Sequence, residues 1–248
     1  MEPHPGALFA AMQRAYKHFF ALSILGCLPI YAIESGPEIF SKVAARNQVR
    51  ESRLPGYTVV RTYEVKDTNG HTRAQTKVLV QYNRPNPKVF QVLSEQGSRV
   101  ISRLVFRGLM DHEAKSSTPE AKEESGISPA NYDVELTGEA ELDGRHCFLL
   151  HAAPRRRVKY LFEGTIWVDA EDLAIAQVEG SPAKSPSFWV KSVHFVRRYQ
   201  KVGNFWLPKE DSSASEIKVF GKHTLTIHYD DYKIDAPQDV LSLSDPLK

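Results

Sequence analysis

The second half of the chain constrains the fold most. From residue 132 to residue 234 the sequence alternates apolar and polar residues over short runs, as strands do. The runs are broken only by turn signals, at Asp143-Gly144, at the acids between Asp169 and Asp172, near Pro182 to Pro186, and at Gly203-Asn204. No stretch of helical period is long enough to cross over the sheet. Successive strands joined by short turns must run antiparallel, so the sequence predicts a meander with its helices gathered elsewhere and laid on one face. Some strands carry bulky apolar groups on both faces: Trp189, Val193 and Phe195 alternate with Phe188, Val190 and Val196. One face of the sheet is expected to meet something other than water.

The first half supplies the helices and a hairpin. Ile39, Phe40, Val43 and Val49 fall near helical spacing in a segment from Pro37 to about Ser52, with Pro37 suited to a first turn. Asn69-Gly70 lies between two alternating runs and predicts a two-stranded hairpin. After a turn at Arg84 to Pro87 comes another strand, and then the period changes. Between Ser98 and Lys115, Ile101, Leu104, Val105, Gly108 and Leu109 share one helical face, predicting a second amphipathic helix. Residues 116–130, rich in Ser, Pro, Lys and Glu, read as a mobile loop.

The N-terminus predicts export. Arg14 and Lys17 precede an apolar run from Phe19 to Ile33, short for a bilayer-spanning helix, with the small Ala32 at its end. This is the pattern of a signal peptide over residues 1–32, leaving 33–248 as a single domain. Ile24-Leu25-Gly26-Cys27 also has the form of a lipidation site, and retention of the run as an anchor is a third route. All three put the domain outside the cytoplasm, in the periplasm, with lipid anchoring through Cys27 as one version. In the first two routes Cys147 is left with no partner for an internal disulfide, and it reads as a small buried strand residue.

Charge and motifs narrow the function by exclusion. Lys plus Arg (32) nearly balances Asp plus Glu (30), which gives no reason to expect a nucleic-acid partner. His146 and His151, and again His223 and His228, are five apart, so on a strand each pair points to opposite faces and makes no metal site. No HExxH, CxxC, GxSxG or phosphate-loop pattern occurs, so no catalytic residue, metal or cofactor is expected. Asp169, Glu171 and Asp172 between two strand-period runs read as a solvated hairpin turn. Arg155-Arg156-Arg157 with Lys159 read as an exposed loop or a charged strand edge; attraction to anionic lipid headgroups is the sharper alternative.

The order helix, hairpin, strand, Arg-Pro turn, strand, helical insert and long meander resembles the LolA/LolB-like superfamily of periplasmic lipoprotein carriers, which includes RseB-type sensor domains. The resemblance rests on "VQYNRPNPKVF" (80–90) and, more strongly, on "YDVELTGEAELDGRHCFLLHAAP" followed by "GTIWVDAEDLAIAQVEG" (132–180). It implies a mainly β, α+β fold: an incomplete antiparallel barrel, strongly curved, with helices over an apolar concave face that carries acyl chains. It implies no enzyme but a carrier of lipid or of an acylated protein in outer-membrane lipoprotein sorting. The alternative is a sensor or interaction domain with a membrane protein partner. In the carriers the Arg of the Arg-Pro-Asn turn holds the helical lid, which points to Arg84. Val59, Tyr63, Val78, Val80, Leu104 and Trp167 are expected to contact the ligand. The helical segment 98–115 departs from the plain carriers, which have strands near this point.

Overall fold

The computed structural model describes residues 35–83, 86–115, 119–185, 190–217 and 221–235. Helix α1 (Gly36–Arg53) opens on a capping box in which the Glu38 carboxylate accepts the Ser35 backbone N–H at 2.9 Å, with Pro37 in the first turn. Ile39, Phe40 and Val43 are buried, whereas Val49, six residues further on and hence off that face, is exposed. Three strands follow, β1 (Gly56–Asp67), β2 (Thr72–Asn83) and β3 (Val89–Gly97). The β1–β2 hairpin turns at Asn69-Gly70 with Gly70 at φ 79°, a conformation that favours glycine.

A helical stretch comes next: α2 (Arg99–Ile101), a π-helical turn (Ser102–Phe106) and α3 (Arg107–Lys115), with α4 (Pro119–Ser125) after it. Residues 119–125 are therefore helical inside the region whose composition read as loop. The meander then runs β4 (Tyr132–Leu142), β5 (Arg145–Pro154), β6 (Phe162–Asp169), β7 (Ala174–Pro182), β8 (Val190–Val202), β9 (Phe205–Ile217) and β10 (Gly221–Ile234).

All ten strands form one antiparallel sheet in the order β3-β2-β1-β10-β9-β8-β7-β6-β5-β4. The sheet does not close: β3 and β4 are its edges. The mainly β, incomplete-barrel architecture that the resemblance implies is what forms, an open sheet of ten strands, and α1 and the 99–115 helices lie on the same face of it. Each packs over its own half. Ile39, Phe40 and Val43 of α1 join Tyr132, Leu150, Ile166 and Val178 in one core. Phe106 and Met110 of the second helical stretch join Val59, Tyr63, Val78 and Val80 in another.

Two local features shape this inner face. Gly36 begins α1 against β4, where a Cβ would stand 2.6 Å from the Leu136 backbone nitrogen, so the helix can approach only without a side chain there. In β10 the register steps from Val60↔Asp230 to Thr58↔Lys233, a bulge with Asp231 at φ 56°. The extra residue flips the alternation, so Tyr229 and Tyr232, three apart, both reach the inner core.

Candidate functional site

Between the two cores the inner face is not filled. The middle strands explain why. On β9, Asp211, Ser213 and Ser215 share the inward parity, across from Arg197, Phe195 and Val193 of β8 and from Ile227, Leu225 and His223 of β10. Serines cannot reach the helices, and no bulky β9 side chain stands in their place. The result is a cavity of about 360 Å³, walled by Leu109 of α3, Leu161, Phe162, Phe195, Leu225 and Ile227. That volume lies at the small end of ligand pockets, which run from about 300 to 1,000 Å³. A hollow of about 420 Å³ on the opposite face is lined by strand residues such as Thr58, Val60, Leu79 and Lys233.

The cavity has a polar floor. The Arg197 guanidinium donates to both carboxylate oxygens of Asp211 through Nε and Nη2, the latter at 3.0 Å, and the Tyr229 hydroxyl donates to Asp211 Oδ2 at 2.6 Å. Burial opposes the Arg197 charge, but the Asp211 carboxylate outweighs it and raises the Arg197 pKa. Burial beside the same carboxylate pushes the Tyr229 phenol up.

Tyr229 joins this floor to a second charged group beneath the helical cover. Its ring lies 4.8 Å from the Arg61 guanidinium. Arg61 is 2% exposed and forms a fork to Glu113 of α3, with Nη1 donating to Oε2 at 2.6 Å and Nη2 to Oε1 at 3.1 Å. Lys88 adds a third bond to Glu113 Oε1 at 2.6 Å. Burial alone would raise the Glu113 carboxyl, but the bonds from Arg61 and the charge of Lys88 hold it down at about 2. Arg61, for its part, is desolvated yet pushed up by the Glu113 bond. The end of the helical cover is thus tied to β1 and to the β2–β3 connection by ions rather than by apolar packing.

The residues expected to contact ligand fall into three places. Val59, Tyr63, Val78 and Val80 are all buried in the core under the 99–115 helices, with the Tyr63 ring 5.7 Å from that of Phe106. They support the cover and do not line the cavity. Leu104 is 72% exposed, and Trp167 alternates with the buried Ile166 and Val168, which puts it on the other face, where its indole donates to Glu179 at 3.5 Å. Arg84 lies outside the described residues, as does Trp189. The placement of Leu104 corrects the expected helical face: the π-helical turn shifts the phase, so Ser102, Phe106 and Met110 face inward and Leu104 and Val105 outward.

The acids at 169–172 form the expected turn but not a solvated one. Asp169 is 1% exposed and accepts the Arg145 guanidinium through both oxygens. Asp172 accepts from Lys201 at 2.8 Å and from the Trp206 indole at 3.0 Å, and Arg46 and Arg50 of α1 donate to its carbonyl. Glu171 alone keeps a largely exposed side chain. The turn fastens α1, β5, β8 and β9 to one another, which is a structural use of its charge. In the basic cluster, Arg155 pairs with Asp133 at 2.8 Å and Arg156 donates to Asn131 at 2.8 Å, while Lys159 reaches the cavity wall. Among the described residues no three of His, Cys, Asp and Glu stand where they could share a metal ion, and no helix is long and apolar enough to cross a membrane.

No family model matches the sequence, and no curated protein matches it. Solved structures do align with the chain. A DUF1329 family protein from Desulfovibrio piger aligns with 82% of this chain and 95% of its own, at 13% identity and a TM-score of 0.44. A LolA superfamily protein from Nitrosomonas europaea covers 82% and 96%, at 10% identity and a TM-score of 0.43. A putative outer membrane lipoprotein-sorting protein domain from Vibrio parahaemolyticus covers 82% and 96%, at 12% identity and a TM-score of 0.42.

Proposed function

We propose that this protein is an exported, non-enzymatic binding protein that holds a hydrophobic ligand, of the acyl-chain type, between its sheet and its helical cover. The observation that carries this reading is the unfilled space over β8, β9 and β10, walled by apolar side chains and overlain by α3. A core that needed only to be stable would fill such a gap, because each unfilled volume forfeits packing energy. The Arg61–Glu113–Lys88 group is the fastening of the cover, which lifts to admit the ligand and closes by re-forming a fork rather than by repacking a core.

The apolar segment 19–33 supports export, with residues 1–32 removed as a signal peptide, Cys27 lipidated, or the segment retained as an anchor. Delivery to the outer membrane, as in lipoprotein sorting, is the carrier form of this reading, and Arg84 keeps in it the lid-holding role that the resemblance implies. A second reading, an interaction domain for a membrane protein, is favoured by the β3 edge, unpaired among the described residues, where Val89, Val92 and Leu93 are exposed.

Native mass spectrometry of protein purified from its own envelope tests the main reading. Retained lipid, released when the cover is loosened by Glu113→Gln, is the expected outcome; a protein that arrives empty and refuses acyl probes overturns it. Intact mass in the same experiment distinguishes cleavage near Ala32 from a triacylated Cys27.

A further inference from the structure

The polar floor says more about the ligand than the apolar walls do. Arg197 lies on the inner face, with Tyr199 beside it on the same strand, and about half of its side chain (49%) stays accessible, whereas Asp211 keeps only 16%. Part of its surface lines the cavity. A guanidinium carries five N–H donors; Asp211 takes two of them and the Tyr199 hydroxyl is a further partner, which leaves donors for a guest. Beside the pair, Ser213 leaves a hole one side chain deep between Phe195 and Leu225.

A bare hydrocarbon chain pressed onto this floor would strip water from an ion pair and return nothing for it, a costly exchange. A second carboxylate would be set beside Asp211, and an ammonium beside Arg197. The pair is neutral in sum, and Lys159, the further charged side chain of the lining, is solvent-exposed and satisfied by water, so an uncharged group that both donates and accepts hydrogen bonds is the guest the pair can repay. We infer that the cavity is a site for a neutral amphiphile, which lodges an uncharged hydroxyl, ester or amide head against Arg197 and Asp211 over Ser213 and lays its chain along Leu161, Phe162 and Leu109. This inference rests on the hydrophobic-ligand reading above and adds the polar end of the ligand to it.

The test is competition on the purified full chain against the neutral fluorophore N-phenyl-naphthylamine, with three competitors of equal chain length: monolaurin, laurate and dodecane. Monolaurin is expected to displace the probe at about tenfold lower concentration than either of the others, a difference of about 1.4 kcal/mol. In the double variant Arg197→Leu/Asp211→Leu, whatever the change in probe affinity, the ratio of displacing concentrations shows that monolaurin has lost its advantage over dodecane. If wild type binds the probe but ranks monolaurin no better than dodecane or laurate, the head-group assignment falls while the cavity reading stands. Failure of wild type to bind any probe removes the cavity reading itself. Should thermal melts show the double variant unfolded, Ser213→Val decides: it leaves the ion pair in place and fills the hole, so monolaurin must lose its advantage there, and an advantage that survives overturns the inference.

Discussion

One face of a single sheet is covered twice, and by different physics. Over β4 to β7 the cover is α1, whose Ile39, Phe40 and Val43 enter a wholly apolar core and whose later turns are held by Arg46 and Arg50 on the backbone of the 172–173 turn. Over β1, β2 and β10 the cover is an irregular helical stretch. Phe106 and Met110 enter a core that is interrupted by a buried arginine, and the last turn of α3 is held by three hydrogen bonds to one carboxylate. Apolar packing is strong wherever side chains interlock, and it loosens only by opening a void. An ion fork is strong in one geometry and can be re-formed in water once broken, because each partner is solvated when apart. The first cover belongs to the fold; the second is suited to move.

The largest way to break that contrast is on the fixed side. Phe40→Ala removes a 1% exposed ring from the α1 core and should lower global stability by about 3–5 kcal/mol. Urea denaturation measures it. A loss below 1 kcal/mol would mean that α1 is no more integral than the other cover. Glu113→Gln should come next, at about 3 kcal/mol, since it leaves Arg61 and Lys88 facing each other without their anion. Here the place of the effect matters more than its size. Hydrogen exchange should rise across residues 99–115 and leave β4 to β7 protected; a uniform rise would show that the two covers unfold as one.

pH sharpens the same point. The Glu113 carboxyl is held near about 2 in the folded protein, below its usual range. A depressed carboxyl gives stability that is fully present above its unfolded value, about 4.3, and that is lost as pH falls through the folded one. The 99–115 cover should therefore hold at neutral pH and loosen between about pH 4 and pH 2. Fluorescence of a label at position 104, an exposed site, follows the loosening. Glu113→Gln should be open already and show no such step, and a step that persists in the variant would assign it to other carboxylates.

What the sequence disclosed, and what it withheld, follows the same division. Alternation and turn residues placed the hairpin at Asn69-Gly70 and the meander from β4 to β10, because strand period and turn chemistry are local. Alternation also holds Arg61 on the parity of Val59 and Tyr63, and Arg197 on that of Val193 and Phe195, so a charged residue on the inward parity is there to be read in both cases. The partner of Arg61 was not, because Glu113 is brought inward by a π-helical turn that no 3.6-residue pattern anticipates. For the same reason Leu104, which a regular helical face would cover, is exposed. The pairing of Asp169 with Arg145 depends on two strands lying in register, so a turn of acids looked solvated when two of its three were not.

The smallest predicted effects lie at that turn and on the outer side of the moving cover. Glu171→Gln changes an exposed member of the 169–172 turn and should stay within about 0.5 kcal/mol in stability, with ligand binding intact. Leu104→Ser is the finer probe. Leu104 is solvent-exposed on the side that the π-helical turn rotates away from the sheet, so removing it should cost almost nothing in stability and leave the binding of an acyl probe unchanged. If Leu104→Ser instead weakened probe binding tenfold with the fold intact, the residue would meet ligand in an open form of the cover. The 99–115 stretch would then turn about its own axis as it lifts, and the π-helical turn would be the place where it does so.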